Sequence, residues 1–249
     1  MRKAHYQKKG TIKGMKALII IPAYNEAENL PRLFEELDEV AKNADYTIDV
    51  LIINDCSKDN TLAVCREHGV KVVTLPVNLG IGGAVQTGYR YAFYHKYDIA
   101  IQIDGDGQHD PQFIPYLIER IEQGNHLCIG SRFIENEGFQ SSRIRRVGIR
   151  YFSWLIWFLT GKRITDPTSG FRACGKEVIR LFAQDYPKDY PEPETVVTVL
   201  RNKLKVSEMP VIMRAREGGK SSITNLKGIY YMIKVTLAIM IASISRKAR

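Results

Sequence analysis

The chain of 249 residues carries a net charge of +9 at pH 7, and 45% of its residues are hydrophobic and 25% charged. These proportions are ordinary for a globular protein, and the length suits one domain with a sizeable core and appended elements. The four cysteines show no CxxC spacing and the five histidines no HxxxH pair, which excludes the usual zinc motifs and predicts reduced thiols in a cytosolic protein.

The positive charge is concentrated at the two ends of the chain. Residues 1–16 contain six basic residues and no acid, and residues 226–249 contain five and no acid. Basic segments beside amphipathic sequence favour an anionic membrane surface or a polyanion as partner. Nucleic acid is not expected, because no nucleic-acid-binding motif is present. We expect residues 1–14 to be a basic, flexible extension, and a solvated tail is the alternative to membrane contact.

Four short apolar segments predict β-strands, and a segment of helical periodicity follows each of the first three. The strands are predicted at 17–22, 48–53, 70–74 and 99–103. This alternation is typical of an α/β fold with a parallel sheet. Ligands of such sheets bind beyond the carboxyl ends of the strands, so we expect the loops that follow the strands to form one site.

The sequence Asp104-Gly-Asp-Gly-Gln108 directly follows the fourth predicted strand. Two carboxylates so close together repel each other unless a cation or hydrogen-bond donors lie between them. Mg²⁺ takes oxygen ligands and is usually held by one or two carboxylates together with substrate phosphates. We therefore predict a site for Mg²⁺ or Mn²⁺ at Asp106 and Gln108, with Asp104 as a further candidate ligand. An acidic β-turn is the alternative, since Asp-x-Asp alone is common.

Four motifs together resemble the family 2 glycosyltransferases of the GT-A fold, over about residues 15–222. The motifs are 21–26 (IPAYNE), 54–59 (NDCSKD), 78–84 (NLGIGGA) and 104–109 (DGDGQH). Ser131-Arg132 and the segment 166–172 make the chain most similar to the polyprenyl-phosphate, or dolichol-phosphate mannose synthase-like, enzymes. The resemblance implies a Rossmann-like, mostly parallel sheet flanked by helices over 15–222, followed by an amphipathic helix over 223–249 that associates with a membrane or partner.

The resemblance also implies a reaction. A sugar would pass from a nucleotide-sugar to undecaprenyl or dolichyl phosphate with inversion, and a divalent metal would neutralise the leaving nucleoside diphosphate. The residues that match donor-binding positions are Pro22, Ala23, Tyr24, Glu26, Asp55, Gly80, Gly83, Asp104, Gly105 and Lys220. Turn formation and helix capping are the alternative roles for several of these residues.

An acceptor phosphate is already anionic, so its site needs cations more than it needs a strong general base. The resemblance assigns the acceptor phosphate to Arg132, Ser169 and Arg172, and pairing of the arginines with Asp166 or with a helix end is the structural alternative. Glu192 and Glu194 lie where related enzymes place an acid that contacts the sugar or acts as base. The residues that we expect to be catalytic are Asp104, Asp106, Arg132, Arg172 and Glu194.

Two apolar segments are candidates for membrane contact. The 16 residues of 229–244 would form a helix of about 24 Å, shorter than the ~30 Å hydrocarbon core, and Trp154 and Trp157 lie in a second segment, 147–159. We expect a peripheral protein on the cytoplasmic face of the cell membrane, aided by a small integral-membrane partner or by self-association. Packing of either segment on its own domain is the alternative.

Three other functions stay open at this stage. Transfer to a saccharide or protein hydroxyl would use the same donor site. A sugar nucleotidyltransferase normally carries a glycine-rich, lysine-containing signature after the first strand, where this chain has 22–26 (PAYNE). A non-catalytic scaffold of a membrane assembly would not need Asp104, Asp106 and Gln108 together.

Overall fold

The computed structural model describes residues 14–135, 137–139, 143–214 and 225–244. In these residues the strands are β1 (Lys16–Ala23), β2 (Thr47–Asn54), β3 (Lys71–Thr74), β4 (Ile99–Gln102), β5 (Leu127–Ser131), β6 (Arg172–Gly175) and β7 (Val206–Pro210). The helices are α1 (Leu30–Lys42), α2 (Thr61–Glu67), α3 (Gly80–Tyr94), α4 (Ile114–Glu122), α5 (Arg143–Thr160), α6 (Lys176–Gln184), α7 (Pro191–Arg201) and α8 (Asn225–Ile244). A 3₁₀ turn, Pro111–Phe113, precedes α4.

The strands form one sheet in the order β3-β2-β1-β4-β6-β5-β7. Strands β1, β2, β3 and β4 run parallel, as do β5 and β7, whereas β6 is antiparallel to both of its neighbours. Because β6 runs the opposite way, it begins at the edge where the other strands end, and Arg172 pairs with Gln102 and Ile129. The predicted mostly parallel α/β fold is confirmed.

Apolar side chains of the central strand pack on both faces of the sheet. Leu18 and Ile20 of β1 contribute to a core formed with α3, α5, α6, α7 and α8. Ile19 and Ile21 contribute to a second core formed with α1, α2 and α4. A strand buried on both faces is apolar throughout, which explains the continuous run at the start of the chain.

The two apolar segments that are candidates for membrane contact lie in α5 and α8. Val235 and Ile239 of α8 are buried against the domain, whereas Ile233 and Leu237 are exposed. The helix therefore docks on the domain with one face and leaves its other face exposed. Among the helices of the described residues, none has the length and apolar character to cross a membrane. The expected basic extension lies outside the described residues except for Gly14.

Candidate active site

The strand ends bring the predicted site residues to one edge of the sheet. Strands β1, β2, β4, β5 and β7 end at this edge and β6 begins there. Asp104 follows β4, Arg132 follows β5, and Arg172 opens β6. The antiparallel strand thus places Arg172 at the same edge as the Asp104 loop, although the two are far apart in sequence.

The segment Asp104–Gln108 forms a tight turn held by its own polar groups. Gly107 has φ +72°, a conformation that favours glycine. Asp106 is nearly buried, and its Oδ1 accepts a hydrogen bond from Gln108 N at 3.1 Å. The described residues contain no cluster of three or more His, Cys, Asp or Glu side chains with metal-site geometry. Two carboxylates and one amide oxygen suit a hard divalent ion that also takes phosphate oxygens from a substrate.

His109 is buried and holds this turn through a hydrogen bond, a role that the sequence did not reveal. It is 1% exposed, its ring stacks on Phe171 at 5.0 Å, and its Nδ1 accepts a hydrogen bond from Asp104 N at 3.0 Å. Burial lowers the pKa of His109 to about 4, so the ring is neutral at pH 7 and Nε2 carries the proton. Nε2 lies 3.8 Å from Asp104 Oδ2. The lone histidine beside Gln108 was the available signal, but it resembles an ordinary core histidine.

Small residues let the neighbouring loops approach Asp104 closely. A Cβ on Gly170 would lie 3.1 Å from Asp104 Oδ1, and one on Gly105 would lie 3.4 Å from the Pro22 carbonyl oxygen. The turn 166–170 therefore borders the Asp104 carboxylate, and the end of β1 borders the backbone of Gly105.

The loops after β1 and β2 are joined by hydrogen bonds. Asn25, at φ +58°, donates from its backbone N to Ser57 Oγ at 3.0 Å and accepts from Lys58 N at 2.8 Å. Glu26 N donates to Thr61 Oγ1 at 2.9 Å. Tyr24 remains 44% exposed beside them. These contacts fix the backbone around Pro22–Glu26, where we predicted donor contacts.

Asp55 caps the N-terminus of α3. Its two carboxylate oxygens accept hydrogen bonds from Leu79 N at 2.7 Å and Gly80 N at 2.9 Å. Gly82 N, also in the first turn of α3, donates to Lys188 O at 3.2 Å, and a Cβ on Gly82 would collide with that carbonyl. Asp55 thus has the helix-capping role that was considered as the alternative to donor binding. Donor binding by Asp55, Gly80 and Gly83 stays a prediction, and Lys220 lies outside the described residues.

Arg132 forms a buried pair with Asp166. Its Nε and Nη2 donate to the two carboxylate oxygens at 2.6 and 2.7 Å, and Nη2 also donates to Thr168 Oγ1 at 3.0 Å. Burial lowers the pKa of Arg132, but the hydrogen bonds and charge of Asp166 outweigh this effect and raise it. Glu208 holds the other side of the turn, accepting from Asp166 N at 2.9 Å.

Arg172 is fully buried and bonded to the protein. Its guanidinium donates to the Ser169 carbonyl and, at 2.9 Å, to Thr195 Oγ1. Ser169 is also buried, and its Oγ accepts from Phe171 N at 3.3 Å. Arg132 therefore makes the Asp166 pairing considered as the alternative, and Arg172 instead contacts the Ser169 carbonyl and Thr195 near the start of α7. A direct contact of Arg132, Ser169 or Arg172 with an acceptor phosphate stays a prediction.

The structure places Glu192, rather than Glu194, in the electrostatic environment of the site. Burial raises the pKa of Glu192, the Arg172 charge opposes this, and Asp104 adds to it. Burial also raises the pKa of Glu194, but its charged neighbour is Asp185. We expected Glu194 among the catalytic residues, and its catalytic role stays a prediction, while Glu192 is the second candidate because its pKa depends on Arg172 and Asp104.

Comparison with known proteins agrees with this architecture. The sequence pattern described as Glycosyl transferase family 2 matches residues 18–183, more than half of the chain. The UDP-N-acetylglucosamine–dolichyl-phosphate N-acetylglucosaminyltransferase of Methanococcus voltae is 29% identical over 214 residues, which cover 78% of this chain and 83% of that protein. The undecaprenyl-phosphate mannosyltransferase of Micrococcus luteus is 29% identical over 219 residues, which cover 84% of this chain and 88% of that protein.

A solved structure has the same fold. Glucosyl-3-phosphoglycerate synthase from Mycobacterium tuberculosis, in complex with Mn²⁺, uridine diphosphate and phosphoglyceric acid, matches with a TM-score of 0.70 at 17% identity, covering 96% of this chain and 84% of that chain. The resemblance found in the sequence motifs is confirmed. The chain belongs to glycosyl transferase family 2, and it is a glycosyltransferase with the GT-A fold.

Proposed function

We propose that the protein transfers a sugar from a nucleotide-sugar to the phosphate of a polyprenyl phosphate, with inversion and with Mg²⁺ or Mn²⁺ bound at Asp106, Gln108 and Asp104. The observation that carries the proposal is the position of Asp104–Gln108 at the edge where the loops of β1, β2, β5 and β6 meet. The names of the Methanococcus and Micrococcus relatives support a polyprenyl-phosphate acceptor, and the Mn²⁺ and uridine diphosphate complex of the same fold supports a divalent metal.

The proposed chemistry is a direct displacement. An oxygen of the acceptor phosphate forms a bond to the anomeric carbon, the bond from that carbon to the diphosphate breaks, and the configuration inverts. A bound divalent ion would supply neutralisation of the leaving diphosphate. The residues around it keep the geometry fixed, since His109 positions Asp104 and Asp106 accepts from Gln108 N.

The proposal places the acceptor phosphate beside the turn 166–170. This turn borders Asp104 through Gly170, and it is held by the Arg132–Asp166 pair and by Arg172. Asp166 neutralises the charge of Arg132, so the proposal relies on the positive charge of Arg172 to lower the electrostatic cost of bringing two phosphate groups together at this edge. Glu192 lies on the same side and is proposed to contact the transferred sugar or the acceptor.

We propose that the protein meets its acceptor through an apolar surface formed by α5 and α8. The two helices pack together, with Thr236 Oγ1 donating to Tyr151 Oη at 3.2 Å. The exposed apolar residues of this surface are Val147, Trp154, Trp157, Phe158, Ile233, Leu237, Met240 and Ile241. Tryptophans are typical of the headgroup region of a bilayer. We propose a peripheral position on the cytoplasmic face of the membrane, and a small integral-membrane partner or a second copy of the chain is the alternative occupant.

Incubation with a panel of nucleotide-sugars tests the proposal. The protein is mixed with vesicles that contain undecaprenyl phosphate or, in a matched sample, undecaprenol, with Mn²⁺ or EDTA, and the lipids are analysed by mass spectrometry. We expect one donor to yield a glycosylated lipid phosphate in the samples with Mn²⁺ and none in the samples with EDTA. Product from the undecaprenol sample, or transfer only to added saccharides, would instead support transfer to a hydroxyl. Full activity in EDTA would contradict the metal assignment.

A further inference from the structure

Arg214 connects the metal-binding turn to helix α1. Its backbone N donates to Gln108 O at 2.9 Å, and the preceding Met213 forms an antiparallel bridge with His109. Residues 213–214 therefore lie alongside residues 108–109 as a short two-stranded ladder. This ladder joins the end of the β7 segment to the Asp104–Gln108 turn.

The same ladder fixes the orientation of the Gln108 amide. Gln108 Nε2 donates to Arg214 O at 3.4 Å, a long contact. The amide nitrogen is a donor only and the amide oxygen an acceptor only, so this contact assigns the nitrogen to the Arg214 side. The oxygen Oε1 is then the end that remains for a cation. An inverted amide would present N–H donors to the ion and could not act as a ligand.

The Arg214 side chain is anchored by two acids. Nη1 donates to both carboxylate oxygens of Glu36 on α1 at 2.7 Å, and Nη2 lies 3.2 Å from Asp110 Oδ1. Asp110 also caps the 3₁₀ turn by accepting from Gln112 N at 3.0 Å. The guanidinium thus ties α1 to the residues that directly follow the metal-binding turn.

The Arg214 side chain borders open space on two sides. Arg214, Glu36 and Asp110 line a cavity of about 340 Å³, and Arg214 and Glu36 also border a small cavity beside Asp106. The Arg214 backbone is held by its hydrogen bond to Gln108 and by the bridge of Met213, and the ion pairs with Glu36 and Asp110 add an anchor to α1 through the side chain. Removing the guanidinium should loosen the ladder without opening a void in either core.

We propose that Arg214 is a positioning residue that holds the Gln108 amide with its oxygen towards the divalent ion, and that Glu36 holds Arg214. This inference rests on the proposed metal role of Gln108. Removing a group that orients a metal ligand typically lowers the metal affinity ~10–100-fold. The Arg214 guanidinium acts at one remove from the ion, so we expect Arg214→Ala to weaken Mn²⁺ binding about tenfold, at the low end of that range.

A double-mutant cycle tests the proposal. Mn²⁺ binding in the presence of UDP or GDP is measured by electron paramagnetic resonance for the wild type, Arg214→Ala, Gln108→Ala and the double variant. If Arg214 acts through Gln108, its substitution weakens Mn²⁺ about tenfold in the wild type but less than about twofold in the Gln108→Ala background. Equal weakening in both backgrounds would overturn the proposal.

Further variants separate positioning from loss of stability. Arg214→Lys and Glu36→Gln should give intermediate Mn²⁺ affinities and unchanged melting temperatures. Lys176→Ala, which removes an exposed pair with Asp98 at 2.7 Å near the start of β4, is the matched control and should bind Mn²⁺ as the wild type does. If Gln108→Ala itself binds Mn²⁺ normally, the metal assignment of the proposed function fails. If only Arg214→Ala binds normally, that function stands and the positioning role is wrong.

Discussion

The two sides of the active-site edge are built in different ways. On the metal side, the Asp104 side chain is 38% exposed and the turn is held by backbone hydrogen bonds and a neutral histidine. On the acceptor side, the charged groups are buried and paired, with the Arg132 side chain 8% exposed and Asp166 fully buried. In the proposed function, the metal side presents a partly exposed carboxylate to ligands, whereas the acceptor side uses charge to hold a turn.

This difference separates stability from activity. A carboxylate that is held by backbone donors and faces a ligand contributes little to folding when the ligand is absent. A buried ion pair must stay intact, because the removal of one partner leaves an uncompensated charge in the interior. Substitutions on the metal side should therefore lower the reaction rate with little loss of stability, whereas substitutions on the acceptor side should lower the free energy of unfolding.

The largest effect is expected from Arg132→Met. The variant leaves the Asp166 carboxylate buried without its guanidinium, which should lower the free energy of unfolding by ~3–5 kcal/mol. Urea denaturation would measure this loss. The double variant Arg132→Met/Asp166→Asn should be more stable than the single variant, since the buried charge is gone. A single variant with normal stability and a raised KM for the lipid phosphate would show that Arg132 serves the acceptor alone.

His109 lies between the two sides and predicts a pH dependence. Its pKa is about 4 in the fold and 6.5 when unfolded, so the unfolded state binds more protons between these values. Stability is therefore complete above pH 6.5 and falls as the pH drops towards 4, by about 3 kcal/mol for a shift of this size.

The measurement is the free energy of unfolding of the metal-free protein in EDTA, from pH 7 to pH 4. The matched variant is His109→Asn, whose amide oxygen can accept from Asp104 N without taking up a proton in this range. The carboxyl groups titrate in both proteins, so the difference between the two curves isolates His109. Parallel curves would mean that the His109 ring is already charged or exposed in the native protein.

On the metal side, Asp106→Asn should abolish transfer while leaving the fold intact. The loss of charge stabilisation at the leaving diphosphate should lower turnover at least ~10²-fold, equivalent to about 2.7 kcal/mol. The amide can still accept from Gln108 N, so the melting temperature should change little. Activity near that of the wild type would show that Asp106 is not a metal ligand. A large drop in melting temperature would show that Asp106, like Arg132, is needed for stability.

Local sequence patterns predicted the strands and loops whose formation depends on residues that are close together in the chain. The apolar runs predicted both ends of β1, β2, β3 and β4 to within one residue, and turn residues located the loops at their ends. The insertion of β6 as an antiparallel strand was not predictable, because strand pairing between distant segments leaves no local pattern. That insertion is what places Arg172 beside the Asp104 loop.

Side-chain direction was also beyond the sequence. Glu192 and Glu194 stand two residues apart at the start of α7, so they point to different sides of the helix. Tyr190, at φ +50°, sets where that helix begins, and no pattern in the chain predicts this conformation. The partners of Arg132 likewise depend on a turn brought from another part of the chain.

The smallest effect is expected at the apolar surface of α5 and α8. Deletion of residues 226–249 is a poor test, because it would uncover the core contacts of Val235 and Ile239 and destabilise the domain. Trp154 and Trp157 are about half exposed, so their replacement by serine should leave the melting temperature unchanged. Lost burial of the two rings in a bilayer should weaken binding to anionic liposomes about tenfold, or ~1.4 kcal/mol.

Sedimentation with liposomes measures this binding, and donor binding by calorimetry serves as the control. A matched pair, Phe93→Ser and Tyr94→Ser, removes exposed aromatic rings near the end of α3, on another part of the surface. If both double variants lose liposome binding equally, the attachment is unspecific. If neither loses it while the Trp154 and Trp157 variant changes its oligomeric state, the surface binds a second copy of the chain, and the acceptor must reach the Asp104 edge by another route.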